Sequence, residues 1–226
     1  MNRRLFIAAA VVLASIGACT ATPAHAAPTT TTWVLTSATG YADTTGRHNL
    51  TRDPVYTGVT QTADGTTFNG HGRLNGAASA DFSPGAADFA LLGRIRTTDL
   101  WGNVFQLGNT TGGVGGGAFA KFEVSGKRTE GFGGAPRCRF TGTAGSTLLA
   151  GPRSIADGQW HSFECRKLAV GVFLLIDGVV VASQPRLVIG SMDLSTRPVY
   201  VGAKGGTFDE GDALTGTLQG LSVRRG

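Results

Sequence analysis

The chain has 226 residues, a formal charge of +5, 41% hydrophobic residues and only 15% charged residues. This composition provides enough apolar material for a core and excludes a disordered chain. No run of Lys and Arg is dense enough for a nucleic-acid footprint, so we expect no nucleic-acid partner. The 35 glycines and the few Glu residues favour strands and turns over helices.

The beginning of the chain is typical of a secretion signal. Arg3 and Arg4 give a positive start, Leu5–Ala18 is an uninterrupted small and apolar run, and Ala24–Ala26 forms a small-x-small cleavage site. The sequence therefore predicts a signal peptide over residues 1–26 and one exported domain over residues 27–226. The run is too short to span a bilayer, and no later segment is apolar enough, so we expect no membrane span.

A second interpretation of the leader stays open. Ile16–Cys19 resembles a bacterial lipobox, which would place a lipid on Cys19 and anchor the protein to a membrane. The small-x-small site after it favours free secretion instead.

The remaining sequence contains strand patterns and no sustained helical period. A short strand is expected at Trp33–Thr36, whereas residues 38–64 indicate a long connection with a short strand around Val55–Val59. From Thr66 onward, strand patterns recur at the spacing of a β-sandwich. Asp177-Gly178, between two apolar β-branched runs, predicts a hairpin.

Two cysteines remain once Cys19 leaves with the leader. An even pair in an exported protein favours a disulfide between Cys138 and Cys165. It would stabilise the fold by roughly 3–4 kcal/mol. The alternative is a pair of buried free thiols.

Four segments, in order, resemble laminin G-like (LamG) domains. Asp157–Cys165 is similar to the "D-G-x-W-H" strand of that family, and Leu174–Gly178 to the "x-I-D-G" hairpin that follows. Val199–Lys204 resembles the "V-x-V-G" strand, and Thr215–Val223 the closing strand. The resemblance covers residues 66–226 but not residues 27–64. The leader and the composition rich in Gly, Ala, Thr and Arg indicate a bacterial secreted form.

The resemblance implies an all-β fold, a two-sheet antiparallel jelly-roll sandwich of the concanavalin A-like lectin and glucanase superfamily. It also implies that the first and last strands are neighbours and that Trp160 and Ile176 pack between the sheets. A fold of this kind does not fix the function.

Some members of this superfamily hydrolyse glycans with carboxylates two positions apart on one strand, which places both on one face. Here Glu210 and Asp212 begin such a motif, but Thr215 stands where the second Glu belongs. We therefore expect no enzyme activity, with a glycoside hydrolase or lyase of atypical site as the alternative.

Members of this architecture often hold calcium in rim loops. Asp209, Glu210 and Asp212 form the densest acidic cluster of the chain. Oxygen-rich loops suit calcium, so these residues are candidate ligands, and a solvated acidic loop is the alternative. No other cofactor is expected.

Three residues are candidates for ligand binding. Trp101 lies between two predicted strands, where an exposed indole would stack on a sugar, unless it folds back over the end of the sandwich. Arg137 and Arg139 flank Cys138 and offer bidentate hydrogen bonds to acidic polymers, unless they only form a solvated strand face.

These observations favour a secreted, non-catalytic recognition module. We expect it to be a monomer that binds carbohydrate or a cell-surface protein partner. A structural envelope or adhesion protein is a further alternative.

Overall fold

The computed structural model describes residues 28–108, 117–125, 133–185, 189–206 and 212–226. Thirteen strands and one short 3-10 helix, Ala80–Phe82, form the described part of the chain. The strands are β1 (Thr29–Trp33), β2 (Leu50–Thr62), β3 (Gly65–Gly76), β4 (Phe89–Arg96), β5 (Gly102–Leu107), β6 (Phe119–Ser125), β7 (Ala135–Gly142), β8 (Gly145–Ala150), β9 (Trp160–Leu168), β10 (Gly171–Ile176), β11 (Val179–Gln184), β12 (Val199–Val201) and β13 (Thr215–Arg225).

The strand order divides into two antiparallel sheets that share β3. The first part of β3 pairs with β13, and its last part pairs with β12. The first sheet therefore runs β11-β10-β9-β4-β13-β3, and the second runs β3-β12-β5-β6-β7-β8. This arrangement confirms the predicted jelly-roll sandwich, and the pairing of β1 with β13 confirms that the first and last strands are neighbours.

The core lies between the two sheets because apolar residues alternate with polar ones along each strand. In β7, Cys138 and Phe140 are buried, whereas Arg139 between them is exposed. The Phe122 ring of the second sheet stacks on the Phe163 ring of the first at 3.8 Å between centroids. Ring contacts of this kind contribute about 0.5–1.5 kcal/mol beyond the area they bury.

A disulfide joins Cys138 on β7 to Cys165 on β9, as the sequence predicts. The two Cα atoms lie 5.7 Å apart, and both residues are fully buried. The bond therefore connects the two sheets through the core.

The Asp177-Gly178 turn joins β10 to β11 in the predicted hairpin. Both residues have positive φ values, 51° and 78°. Asp tolerates and Gly favours this region, which matches the twist of a two-residue hairpin.

Three sequence expectations are wrong. The first strand is Thr29–Trp33, not Trp33–Thr36, because Leu35 has a positive φ of 64° that an extended strand does not allow. Residues 50–62 form the 13-residue strand β2, not a short strand within a connection. Register shifts around Arg52 and Thr57 break the alternation of β2, so its pattern is hidden in the sequence. Trp160 is partly exposed and lies outside the core, whereas Ile176 is buried between the sheets as expected.

No helix among the described residues is long and apolar enough to cross a membrane.

Candidate functional site

The outer face of the second sheet carries a compact set of polar side chains. Strand register places Gln106, Lys121 and Arg139 side by side across β5, β6 and β7. A second row beside it contains Asn103, Glu123 and Arg137. Directly opposed residues share one face of a sheet. We call these six residues the polar face.

Two side-chain amides of the polar face are buried, and each has at least one polar atom without a hydrogen-bond partner. Asn103 is 1% exposed, and neither its Oδ1 nor its Nδ2 has a partner. Gln106 is fully buried, its Nε2 donates to the Gly108 carbonyl at 2.5 Å, and its Oε1 has no partner. An unpaired buried polar group costs about 1–3 kcal/mol, so each calls for a physical explanation.

The charges of the polar face are partly compensated. Lys121 forms an ion pair with Glu123 two residues further along β6. The guanidinium of Arg139 lies 5.1 Å from the centre of the Phe119 ring, and its Nε donates to Ser146 at 3.4 Å. Arg139 is exposed, whereas Lys121 is only 8% exposed. The face therefore ranges from a buried interior at β5 to a solvated margin at β7.

The polar rows continue beyond β5 to β12 and β3, because Tyr200 pairs with both Gln106 and Asn75. Asn75 donates to the Asp53 carboxylate at 2.8 Å, and Arg73 binds the same oxygen at 2.6 Å. Burial opposes ionisation of Asp53, but these hydrogen bonds together with backbone donors lower its pKa to about 2. This network holds the Asp53 carboxylate in its charged form at the edge of the polar face.

The structure places two of the three predicted binding residues on the polar face, and the third next to it in the sequence. Arg137 and Arg139 belong to the polar face itself. Trp101 is partly buried and directly precedes β5, two residues before Asn103. Its backbone N–H lies 3.4 Å from Asp99 Oδ1.

Two of the three predicted calcium ligands lie outside the described residues. Asp209 and Glu210 lie outside them, and Asp212 forms an ion pair with Lys204. Over the described ranges, no group of three His, Cys, Asp or Glu side chains is placed to hold a metal ion.

Sequence reasoning missed Asn103 and Gln106. The segment Asn103–Leu107 matches an apolar strand, and its two amides attract no attention in such a pattern. The two amides within an otherwise apolar strand could have identified the site, because amides are disfavoured inside a fully buried strand unless they have partners or a function.

Comparisons with known proteins bear on the fold. No model of a known protein family matches the chain, and no curated protein matches its sequence. Among solved structures, the chain is similar to domain 4 of AbnA, an extracellular GH43 arabinanase from Geobacillus stearothermophilus, in complex with arabinotriose. That likeness has a TM-score of 0.58 and 13% identity, over 82% of this chain and 87% of that one.

Two further structures are similar. The binding domain of Paraclostridial Mosquitocidal Protein 1 matches with a TM-score of 0.58 and 16% identity, over 81% of this chain and 46% of that one. The LG1-3 region of the laminin alpha2 chain matches with a TM-score of 0.55 and 15% identity, over 69% of this chain and 30% of that one. The chain thus spans less than half the length of these laminin and toxin structures. The laminin G-like, concanavalin A-like fold is established by these likenesses.

Proposed function

We propose that the protein is a non-catalytic recognition module that binds carbohydrate hydroxyls on the polar face. One observation carries this proposal: the buried amides of Asn103 and Gln106 have polar atoms without partners. Because these atoms are buried, a ligand reaches them only when the groups that cover β5 move aside, and the hydrogen bonds it then supplies recover the cost of leaving the amides unpaired. Such a site discriminates strongly against molecules that lack matching hydroxyls.

Sugar hydroxyls suit this surface because each one donates and accepts. The Asn103 amide presents one acceptor oxygen and two donor hydrogens, and Gln106 presents a free acceptor. The partly buried Trp101 beside β5 adds an apolar ring for the non-polar side of a sugar. The arabinotriose in the structure of AbnA domain 4 supports the same class of ligand for this fold.

The proposal is of a binding module because hydrolysis of a glycosidic bond ordinarily needs two carboxylates flanking it. Glu123 is the only carboxylate of the polar face, and it is ion-paired with Lys121. Asp53, at the edge of the face, is held by Arg73. The pKa of Asp53 is lowered to about 2, which does not suit a general acid.

The same proposal places the protein outside the cell. The Cys138–Cys165 disulfide supports an oxidising compartment. Intact mass measurement of the protein from its native host tests this: a chain beginning at Ala27 supports free secretion, whereas a lipid on Cys19 supports an anchor.

The binding proposal is tested on a panel of neutral oligosaccharides with the purified protein and two matched variants. Asn103→Leu removes the unpaired amide from the polar face. Thr147→Val removes a buried hydroxyl that also lacks a partner but is paired in register with the core residue Phe140. Each variant removes a buried polar group that has no hydrogen-bond partner. The free energy of unfolding of each should therefore equal that of the wild type or exceed it by up to about 2 kcal/mol.

Only Asn103→Leu should lose binding, by at least about 100-fold. Full binding by Asn103→Leu, or no neutral ligand for the folded wild type, contradicts the proposal. The panel is run with calcium and again with EDTA. Binding on the polar face is independent of calcium, and loss in EDTA would move the site to Asp209, Glu210 and Asp212.

A further inference from the structure

The outer face of the first sheet carries a second, separate cluster of charged and aromatic side chains. Four arginines from β4, β9 and β13 lie there with one tryptophan and one glutamate. We call this surface the arginine groove and define it by Arg94, Arg96, Trp160, Glu164, Arg166 and Arg224. It lies on the opposite side of the sandwich from the polar face.

At one end of the arginine groove, two guanidiniums share the Trp160 ring. Their Cζ atoms lie 5.2 Å (Arg94) and 5.0 Å (Arg96) from its centroid. Arg94 also donates to the neutral Gln219 side chain at 2.9 Å. Neither arginine has a carboxylate partner among the described residues, so both retain an uncompensated positive charge.

At the other end, two arginines share one carboxylate. Glu164 accepts two hydrogen bonds from Arg166, at 2.7 and 2.9 Å, and one from Arg224 at 2.5 Å. Glu164 is largely buried, whereas about half of the Arg224 side chain is exposed. At this end both guanidiniums are therefore paired with a carboxylate, and Arg224 keeps part of its side chain in contact with solvent.

Two clefts lie along the same face between and beside these ends. One of about 320 Å³ is lined by Leu92, Arg94, Ser162 and Glu164 among others. Another of about 330 Å³ is lined by Asp88, Ala90, Arg166 and Arg224 among others. From Arg96 to Ala90 along β4 the groove extends for about 20 Å. Its floor combines small residues such as Ala90 and Ser162 with the apolar side chain of Leu92, and its cations lie at both ends.

We propose that the arginine groove binds an anionic polysaccharide whose carboxylate or sulfate groups contact Arg94 and Arg96. The length of the groove and the separation of its cations fit a polymer with repeated negative charge. Guanidinium groups bind such oxyanions bidentately.

A polysaccharide fits better than an acidic peptide because β4, β9 and β13 are each paired on both sides where they form the floor. An extended peptide would therefore find no free backbone donors or acceptors there. The hydroxyls of Ser162 and Ser222 and the apolar side chains of Leu92 and Leu175 line the first cleft. They match the mixed polar and non-polar faces of sugar rings.

The test measures equilibrium binding of polygalacturonate, dextran sulfate, polyglutamate and neutral dextran to the wild type at low ionic strength. Arg94→Gln/Arg96→Gln removes the free cations. Arg52→Gln/Arg153→Gln removes the same charge from exposed positions outside the arginine groove. We expect binding of at least one anionic polymer, weakened about 100-fold by the groove variant, about tenfold per arginine. The control variant should weaken it less than about threefold.

The two anionic polymers distinguish carboxylate from sulfate recognition, and binding of either supports the proposal. Equal weakening by both double variants, equally tight binding of polyglutamate, or no binding of either anionic polysaccharide overturns it. Neutral oligosaccharide binding on the polar face should be unchanged in Arg94→Gln/Arg96→Gln, so each proposal can fail without the other.

Discussion

The Cys138–Cys165 disulfide should contribute a large share of the stability of the sandwich. It closes a loop between positions 27 residues apart. In the chain-entropy description this constraint on the unfolded chain is worth roughly 3.6 kcal/mol at 25 °C. Replacing both cysteines with alanine also removes two fully buried sulfur atoms from the core. We therefore expect the double variant to lose about 4 kcal/mol.

Urea unfolding, followed by tryptophan fluorescence and circular dichroism, measures this effect on three samples. These are the oxidised wild type, the reduced wild type and Cys138→Ala/Cys165→Ala. The reduced wild type keeps its sulfur atoms, so its loss isolates the loop constraint. Reductant should leave the double variant unchanged, which serves as the control. A loss below about 1 kcal/mol in both cross-link-free samples would refute the reasoning.

Two other predictions concern pH. Although burial opposes it, hydrogen bonds and charge attraction to Asp177 and Asp157 raise the pKa of His161. Its contribution is complete below about pH 6.5 and is lost as the pH rises through the higher folded-state pKa. His161→Gln should therefore cost less than about 1 kcal/mol, since both carboxylates are half exposed, and the cost should fall at alkaline pH. A cost that is constant from acid to alkaline pH would contradict this. Asp53, with its pKa lowered to about 2, should contribute about 2 kcal/mol above pH 4 that is lost as the pH falls toward 2. The free energy of unfolding should fall less steeply between pH 4 and pH 2 in Asp53→Asn than in the wild type. Equal slopes in the two proteins would rule out the assigned role.

Local chemistry predicted the Asp177-Gly178 turn and the cross-link, whereas the resemblance to laminin G-like domains implied the jelly-roll fold. Asp177-Gly178 sets a hairpin because its conformational preference is encoded in two adjacent residues. The Cys138–Cys165 pair follows from counting cysteines in an exported chain. The register of β7 is equally local, since Cys138 and its flanking arginines must face opposite sides of the strand.

Features that depend on contacts between residues far apart in the chain could not be predicted from the sequence. The irregular pairing of β2 disrupts its alternation of buried and exposed residues, so the sequence pattern predicts a connection where a long strand forms. Trp160 lies on the same alternating face of β9 as Glu164 and Arg166, which is the outer face. The family motif to which it belongs instead implies a position in the core. Its ring instead contacts two guanidiniums of the neighbouring strand.

Burial of polar groups was the hardest feature to foresee. Lys167 is fully buried, and its Nζ donates to the carbonyls of Ala86 and Ala87 at 3.0 and 2.7 Å. Burial lowers the pKa of Lys167. For Asn103 and Gln106, periodicity indicates a strand but not which groups lie over its outer face. The exposure of that face is a tertiary property.

A crystal structure of the protein saturated with its best-binding neutral oligosaccharide tests the central claim most directly. The account predicts sugar hydroxyls about 2.7–3.2 Å from Asn103 Oδ1 and from Gln106 Oε1, so that both amides gain the partners they lack. A sugar bound elsewhere on the sandwich, with these amide atoms hydrogen-bonded to ordered water in its presence, would contradict the assignment of the polar face as the binding site.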